Sequence, residues 1–176
     1  MMNIPDWEKY QDLFETVELP AKTVLLKEGA IANKIYFIKK GCIRIWFNND
    51  GKEVTCQFFF ENQSIASIES FKSQSPSQFN VETIEPCTLF YLSRNHFLKI
   101  MENSAEFRKK IEDHTFDRLL WYQHLFLSRI KDSPQKRYQE LLEQHPQILL
   151  RVPQHYIATY LGVTAVSLSR IRNRKS

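Results

Sequence analysis

Between residue 19 and about residue 93 the apolar positions fall in short runs, IYFIKKG, IRIWFNNDG, VTCQFFF, FNVETIE and TLFYL. These runs are rich in β-branched and aromatic residues, which pack well on a pleated surface, and they read as strands. Glycine punctuates them at Glu28-Gly29, Lys40-Gly41 and Asp50-Gly51. An Asp-Gly pair between two apolar runs is a strong hairpin signal, because a tight two-residue turn needs positive φ at both positions. Short strands without helices between them predict an antiparallel sandwich or barrel. One stretch breaks the pattern: residues 61–77, ENQSIASIESFKSQSPS, are polar and interrupted by Pro76. They predict a loop with a short helical turn, carried by a rigid sheet, where a ligand site would be built.

Helical spacing flanks this region. Residues 4–14 place Trp7, Tyr10 and Phe14 on one face, with Asp6 near the N-terminal end, and predict a short entry helix. From residue 94 onward Phe97, Ile100 and Met101 share a face, and Asn103 or Ser104 is placed to cap a long helix running to about residue 130. Phe116, Leu119, Leu120, Gln123, Leu127 and Ile130 line one side of it, while Ile111, Trp121, Tyr122, Leu125 and Phe126 add apolar surface around the rest. A helix covering a sheet needs one apolar stripe. A second stripe either turns into the same core or meets its own copy across a two-fold axis, and the latter predicts a dimer. Lys131-Asp132-Ser133-Pro134 then breaks the pattern, with Asp132 or Ser133 as N-cap and Pro134 at the first position of a helix through Gln144. His145-Pro146 ends that helix, since a residue before proline is pushed out of the α region. The break divides the chain into residues 1–131 and residues 132–176.

Charge changes the picture at the C-terminal end. The net charge is +4, from 24 basic and 20 acidic residues. Five of the bases, Arg151, Arg170, Arg172, Arg174 and Lys175, fall in residues 151–176 with no acid among them, so residues 1–150 hold 19 bases against 20 acids. A local basic patch suits a polyphosphate partner, and a solvated tail would carry the same charge. The three cysteines, Cys42, Cys56 and Cys87, are odd in number and form no CxxC, which argues against a disulfide framework or zinc knuckle and reads as buried thiols. No apolar run is long enough to span a bilayer and the opening residues lack the apolar centre of a signal peptide, so a cytoplasmic protein is expected.

Residues 154–171, QHYIATYLGVTAVSLSRI, carry the sharpest motif. Two short helices crossing steeply need a small residue at their approach, a residue with positive φ at the turn, and apolar residues inside. Ala158, Gly162 and the set Ile157, Leu161, Val163, Leu168 and Ile171 supply these. Thr164 is placed to cap the second helix, which leaves Ala165, Ser167, Ser169, Arg170 and Arg174 outward. Small polar and basic side chains on an exposed helix suit a major groove, with Arg170 able to reach guanine or phosphate. An ordinary helical hairpin with a solvated basic face is the other reading of the same residues.

The order of parts, together with KEGAIANKIYFIKKGCIRIWF and NNDGKE in the strand region and VPQHYIATYLGVTAVSLSRIRNR at the end, resembles the Crp/Fnr family of bacterial transcription regulators. The resemblance covers essentially the whole chain. It implies an α+β fold: an antiparallel double-stranded β-roll of jelly-roll type, a long dimerisation helix and a C-terminal helix-turn-helix. It also implies duplex DNA and a second copy of the chain as partners, with RNA polymerase and an unidentified small-molecule effector as further candidates, and no membrane. The candidate DNA-binding residues are Thr164, Ala165, Val166, Ser167, Ser169, Arg170, Arg174 and Lys175, with Ala165, Val166, Ser169 and Arg170 nearest the bases. Members of the family usually continue into a β-hairpin wing; the sequence stops at Ser176, and a helix-turn-helix without a complete wing is expected.

The effector cassette departs from the family. Nucleotide-binding members hold the ribose with a Gly-Glu pair and the phosphate with an Arg-Ser or Arg-Ala pair; at those places this sequence has Ala66-Ser67 and Ser77-Gln78. Without the carboxylate and the guanidinium, cyclic AMP loses its charge-assisted contacts and is expected not to bind, unless another arginine such as Arg44 takes the phosphate. The iron–sulfur branch needs an N-terminal cysteine cluster that is missing here. A cupin-type enzyme needs histidine ligands on strands, whereas His96, His114, His124, His145 and His155 all follow the strand region. No catalytic residue, metal or cofactor is therefore assigned. The alternative to a DNA-binding regulator is a wingless β-roll that senses or binds a protein without binding DNA by itself.

Overall fold

A computed structural model describes residues 6–173. Among the described residues eight strands form two four-stranded antiparallel sheets. One has the order β1-β8-β3-β6, from Glu15–Leu19 (β1), Cys87–Ser93 (β8), Lys34–Lys40 (β3) and Ser64–Ile65 (β6). The other has the order β2-β7-β4-β5, from Val24–Leu26 (β2), Asn80–Thr83 (β7), Ile43–Asn49 (β4) and Lys52–Phe59 (β5). The five expected apolar runs are β3, β4, β5, β7 and β8. β4 and β5 close on a two-residue turn in which Asp50 (φ +50°) and Gly51 (φ +83°) both take positive φ, as the Asp-Gly signal requires. Ile38, Ile43, Ile45, Phe59, Ile65, Val81 and Leu89 interdigitate between the sheets as the roll's core. The expected antiparallel roll is what forms.

β1, β2 and β6 were not expected as strands. β1 runs before the apolar pattern begins and carries two glutamates, yet it pairs along its whole length with β8. The entry helix is shorter than expected: Trp7–Tyr10 (α1) is followed by a single 3-10 turn, Gln11–Leu13. Phe14 leaves it in extended conformation and packs on Phe37, ring centres 5.6 Å apart. Of the three cysteines, Cys42 and Cys87 are buried and Cys56 is only partly so. Burial pushes all three thiols up, Cys56 and Cys87 to about 11, so none is a thiolate at neutral pH.

Residues 61–77 supply β6 and a short helix, Ile68–Ser73 (α2). After β8 come Arg94–Asn103 (α3) and the 27-residue helix Ala105–Lys131 (α4). Of the two cap candidates it is Ser104 that closes α4, its Oγ accepting from Phe107 N–H at 3.0 Å. Ser133 likewise caps Pro134–Gln144 (α5), accepting from Lys136 N–H at 3.3 Å. Pro146 does more than end α5. It opens Pro146–Arg151 (α6), a helix not expected from the sequence, because proline's fixed φ suits a first helical position as well as it terminates a preceding helix. Gln154–Tyr160 (α7) and Ala165–Asn173 (α8) follow.

The two faces of α4 part company. Ile111, Trp121 and Leu125 are half-buried against the molecule, and Ser128 is buried. On the other side Phe116, Leu119, Leu120, Phe126, Leu127 and Ile130 lie exposed, Phe126 by 64% and Ile130 by 68%. Phe126, expected among the surrounding apolar surface, thus belongs to the exposed side, while Tyr122 sits at the border, its hydroxyl donating to Gln57 Oε1 of β5 at 2.7 Å. The C-terminal helices pack on the roll through one continuous core, in which Cys42, Phe58 and Phe60 meet Tyr138, Leu141, Ile148, Val152, Ile157 and Tyr160.

Candidate nucleic-acid interface and effector cassette

α7 and α8 meet at a turn held from both sides. Gly162 adopts φ +68° and donates to Thr159 O, while Val163 N–H donates to Ala158 O at 2.9 Å, so the end of α7 is closed by a left-handed residue. A Cβ at Gly162 would also stand 3.3 Å from Arg129 Nη1. That arginine reaches across from α4 and donates to Tyr160 O, and Arg137 of α5 donates to Leu161 O at 2.9 Å. Two guanidinium groups therefore serve the unpaired carbonyls, and the negative dipole end, of α7. Local sequence pattern carries no sign of either contact.

Ile157, Ala158, Leu161 and Leu168 are buried, with Val163 and Ile171 half-buried beside them. Thr164 Oγ1 accepts from Ser167 N–H at 3.1 Å and caps α8. Thr164, Ala165, Val166, Ser169 and Arg170 are exposed, Val166 by 61%, and Ser167 is half-buried under the cap. Arg172 is exposed in the last turn, and α8 contains no acidic residue. Arg174 and Lys175 lie outside the described residues.

Arg151 does not belong to this surface. Its guanidinium spans Glu61, with Nη1 2.9 Å from Oε2 and Nη2 2.8 Å from Oε1, and also pairs with Glu85. Arg151 lies over the Phe60 ring, 5.1 Å from its centre. The charge counted with the tail is thus neutralised between α6 and the roll. Arg44 is committed in a similar way: it is 1% exposed, its Nη2 stands 2.5 Å from both Glu53 and Glu82, and its guanidinium lies 3.6 Å from the centre of the Tyr156 ring of α7. Two carboxylates and an aromatic face thus already occupy the guanidinium of Arg44, the alternative arginine for a ligand phosphate.

The two halves of the effector cassette come together. Ser67 and Ser77 are both buried, their Oγ atoms 2.9 Å apart, and Ser77 Oγ also accepts from Phe79 N–H at 3.2 Å. Ala66 is half-buried beside them, whereas Gln78 is exposed and donates to Glu69 at 3.2 Å. The space left between Ala66, Ser67, Tyr36, Leu25 and Val81 is about 20 Å³. That is room for about one water molecule, against the roughly 300 Å³ or more of a small-ligand pocket. Tyr36 is among the side chains filling it, and burial pushes its phenol up to about 12. Among the described residues no group of three or more His, Cys, Asp or Glu is placed to hold a metal ion, and no helix is long and apolar enough to cross a membrane.

A two-sheet roll that receives a short helical cassette, then a long helix with one bare apolar face, then two helices crossing at a glycine turn, defines a β-roll fold coupled to a helix-turn-helix. The cyclic nucleotide-binding domain family matches residues 16–104 of the 176, and the chain belongs to that family. The fold is that of the Crp/Fnr proteins. A CooA mutant from Carboxydothermus hydrogenoformans superposes with a TM-score of 0.76 at 18% identity, covering 98% of this chain and 80% of its own. FixK2 from Bradyrhizobium japonicum gives 0.79 at 17% identity, covering 92% and 83%. A protein of the crp/fnr family from Eubacterium rectale gives 0.75 at 18%, covering 95% and 84%. No curated protein matches the chain by sequence.

Proposed function

We propose that the protein is a DNA-binding transcription regulator of the Crp/Fnr type rather than an enzyme. It acts as a homodimer, and residues 132–176 form the DNA-binding unit. The observation that carries this reading is α8: a capped, acid-free helix whose exposed face presents Ala165, Val166, Ser169 and Arg170 beside the turn. Backbone N–H groups at its start favour a phosphate, and Arg170 is of the type that reads guanine through two hydrogen bonds. The exposed stripe Phe116, Leu119, Phe126 and Ile130, with Gln123 between, recurs at alternating three- and four-residue steps, the spacing of a two-helix seam. Pairing there would set two α8 helices against half-sites about one DNA turn apart.

Selection of genomic fragments by the purified protein tests the reading. Arg170→Ala is expected to cost about 1–3 kcal/mol on the selected site and to relax discrimination there. Lys175→Ala is expected to weaken all sequences alike and to flatten the salt dependence by about one unit of slope per lost phosphate contact. Retention of no duplex at low salt would leave the sensor or protein-binding module in place of the regulator.

The cassette reading is supported by the Ser67–Ser77 contact, between the two residues that the resemblance sets where a carboxylate and a guanidinium would stand. In this reading the roll takes neither cyclic AMP nor cyclic GMP.

A further inference from the structure

The C-terminal helices do not meet the roll everywhere. Between β5, α4 and the α5–α6 junction they leave a cavity of about 400 Å³, with a side lobe of about 80 Å³ that shares Trp121, His145 and Tyr160 with it. The volume falls within the range of about 300–1,000 Å³ typical of small-ligand sites. Phe60, Trp121 and Tyr160 give it flat apolar walls.

One cation in it stands without a counter-ion. Arg118 lines the cavity, and its hydrogen bonds go only to neutral acceptors: Ser64 O at 3.2 Å, Tyr122 Oη at 3.0 Å and Gln57 Oε1 at 3.4 Å. Its Nε is buried with no partner, and among the described residues no carboxylate stands within ion-pair distance of it. The contrast lies within the same molecule, since Arg44 and Arg151 each hold two carboxylates. His114 and His145 line the same space, and burial pushes both imidazoles down, so each charges readily only beside an anion. Of the acids at the cavity, Glu61 is already taken by Arg151, Asp117 is exposed, and Glu140 lines only the side lobe. Arg118 is half-buried, and a guanidinium partly withdrawn from water without a counter-charge gains from a ligand anion.

We propose that this cavity, and not the cassette inside the roll, binds a small organic anion with a flat apolar body, its carboxylate or phosphate on Arg118 and its ring among Phe60, Trp121 and Tyr160. The site requires no DNA binding, so its test is independent of the regulator reading.

The full chain is titrated by calorimetry with 1-naphthyl phosphate and, in parallel, with the uncharged 1-naphthol. Saturable binding of the phosphate, at least about tenfold tighter than the naphthol, is expected from a charge-assisted contact. Arg118→Gln is expected to remove that advantage and leave the naphthol affinity as it was. Gln147→Glu guards against a folding defect in the first variant: Gln147 lines the cavity and carries none of its hydrogen bonds, and a like charge there is expected to weaken the phosphate alone. Ser67→Ala, which breaks the Ser67–Ser77 contact of the cassette without adding volume to it, is expected to leave phosphate binding unchanged. Equal affinity for the two compounds, absence of saturation, indifference to both cavity variants, or loss of binding in Ser67→Ala would each overturn the proposal.

Discussion

Replacing Arg151 by methionine removes the one cation that ties α6 to the roll while keeping a similar apolar stem over Phe60. The magnitude follows from Glu61. Its carboxyl is held down from an ordinary value of 4.5 to about 2, first by the Arg151 hydrogen bonds and then, against the opposing effect of burial, by Gly41 N–H. At about 1.4 kcal/mol per pH unit, that depression corresponds to roughly 3 kcal/mol. Glu61 is 32% exposed and Arg151 29%, so solvent screening reduces the figure to about 2 kcal/mol. The sign is set by the direction of the shift. A depressed carboxylate stabilises the fold above its unfolded value, near 4.5, and the contribution is lost as pH falls through about 2. The parent should therefore lose stability progressively below about pH 5, whereas Arg151→Met should begin about 2 kcal/mol lower at neutral pH and fall less steeply. Urea unfolding followed by far-ultraviolet dichroism, repeated between about pH 7 and pH 3, measures both quantities. Parent and variant with the same midpoint at neutral pH and parallel acid limbs would refute the assignment of the fork as a stabilising clasp.

Three further outcomes are expected. Gly162→Ala should lower the unfolding free energy by about 1–2 kcal/mol in urea titration, because a side chain is strained at φ +68° and its Cβ would press on Arg129; an unchanged midpoint would contradict the left-handed turn. Phe126→Glu combined with Ile130→Glu should turn a sedimenting dimer into a monomer with its melting temperature retained, since both side chains are more than 60% exposed in the single chain; a dimer unaffected by the pair would place the interface elsewhere. Calorimetry with cyclic AMP or cyclic GMP should show no binding at micromolar concentrations; a micromolar or tighter dissociation constant would mean that the Ser67–Ser77 contact opens to admit a nucleotide.

The elements that were legible in the sequence are those whose signal is local. β3, β4, β5, β7 and β8 announce themselves by β-branched and aromatic runs, and the β4–β5 turn by Asp50-Gly51. β1 is hidden because it is an edge strand in which Glu15, Thr16 and Glu18 are exposed, leaving Val17 and Leu19 too few to form a run. α6 is hidden because proline marks helix starts and stops alike, and only tertiary contacts of Ile148 and Leu149 decide which. In the candidate site the turn, its cap and the outward face of α8 follow from spacing of three or four residues. The guanidinium groups that fix the turn do not: Arg129 lies 31 residues from Tyr160 and Arg137 lies 24 from Leu161.

The same separation in sequence explains the misread charge. A count along the chain assigns Arg151 to a basic tail, because its partners Glu61 and Glu85 lie 90 and 66 positions away. Arg44, the other arginine considered for a phosphate, is held by Glu82 from a neighbouring strand and covered by Tyr156 from the first helix of the helix-turn-helix. Both cations therefore fasten the C-terminal helices to the roll. Thr159 Oγ1, accepting from Thr55 N–H of β5 at 3.2 Å, adds a third clasp on the same seam. What remains for a polyanion among the described residues of α8 is Arg170 and Arg172. The surface that would meet nucleic acid is thus less basic than the sequence count suggests, and the exposed small residues Ala165 and Ser169 leave close approach of the helix backbone as its other means of contact.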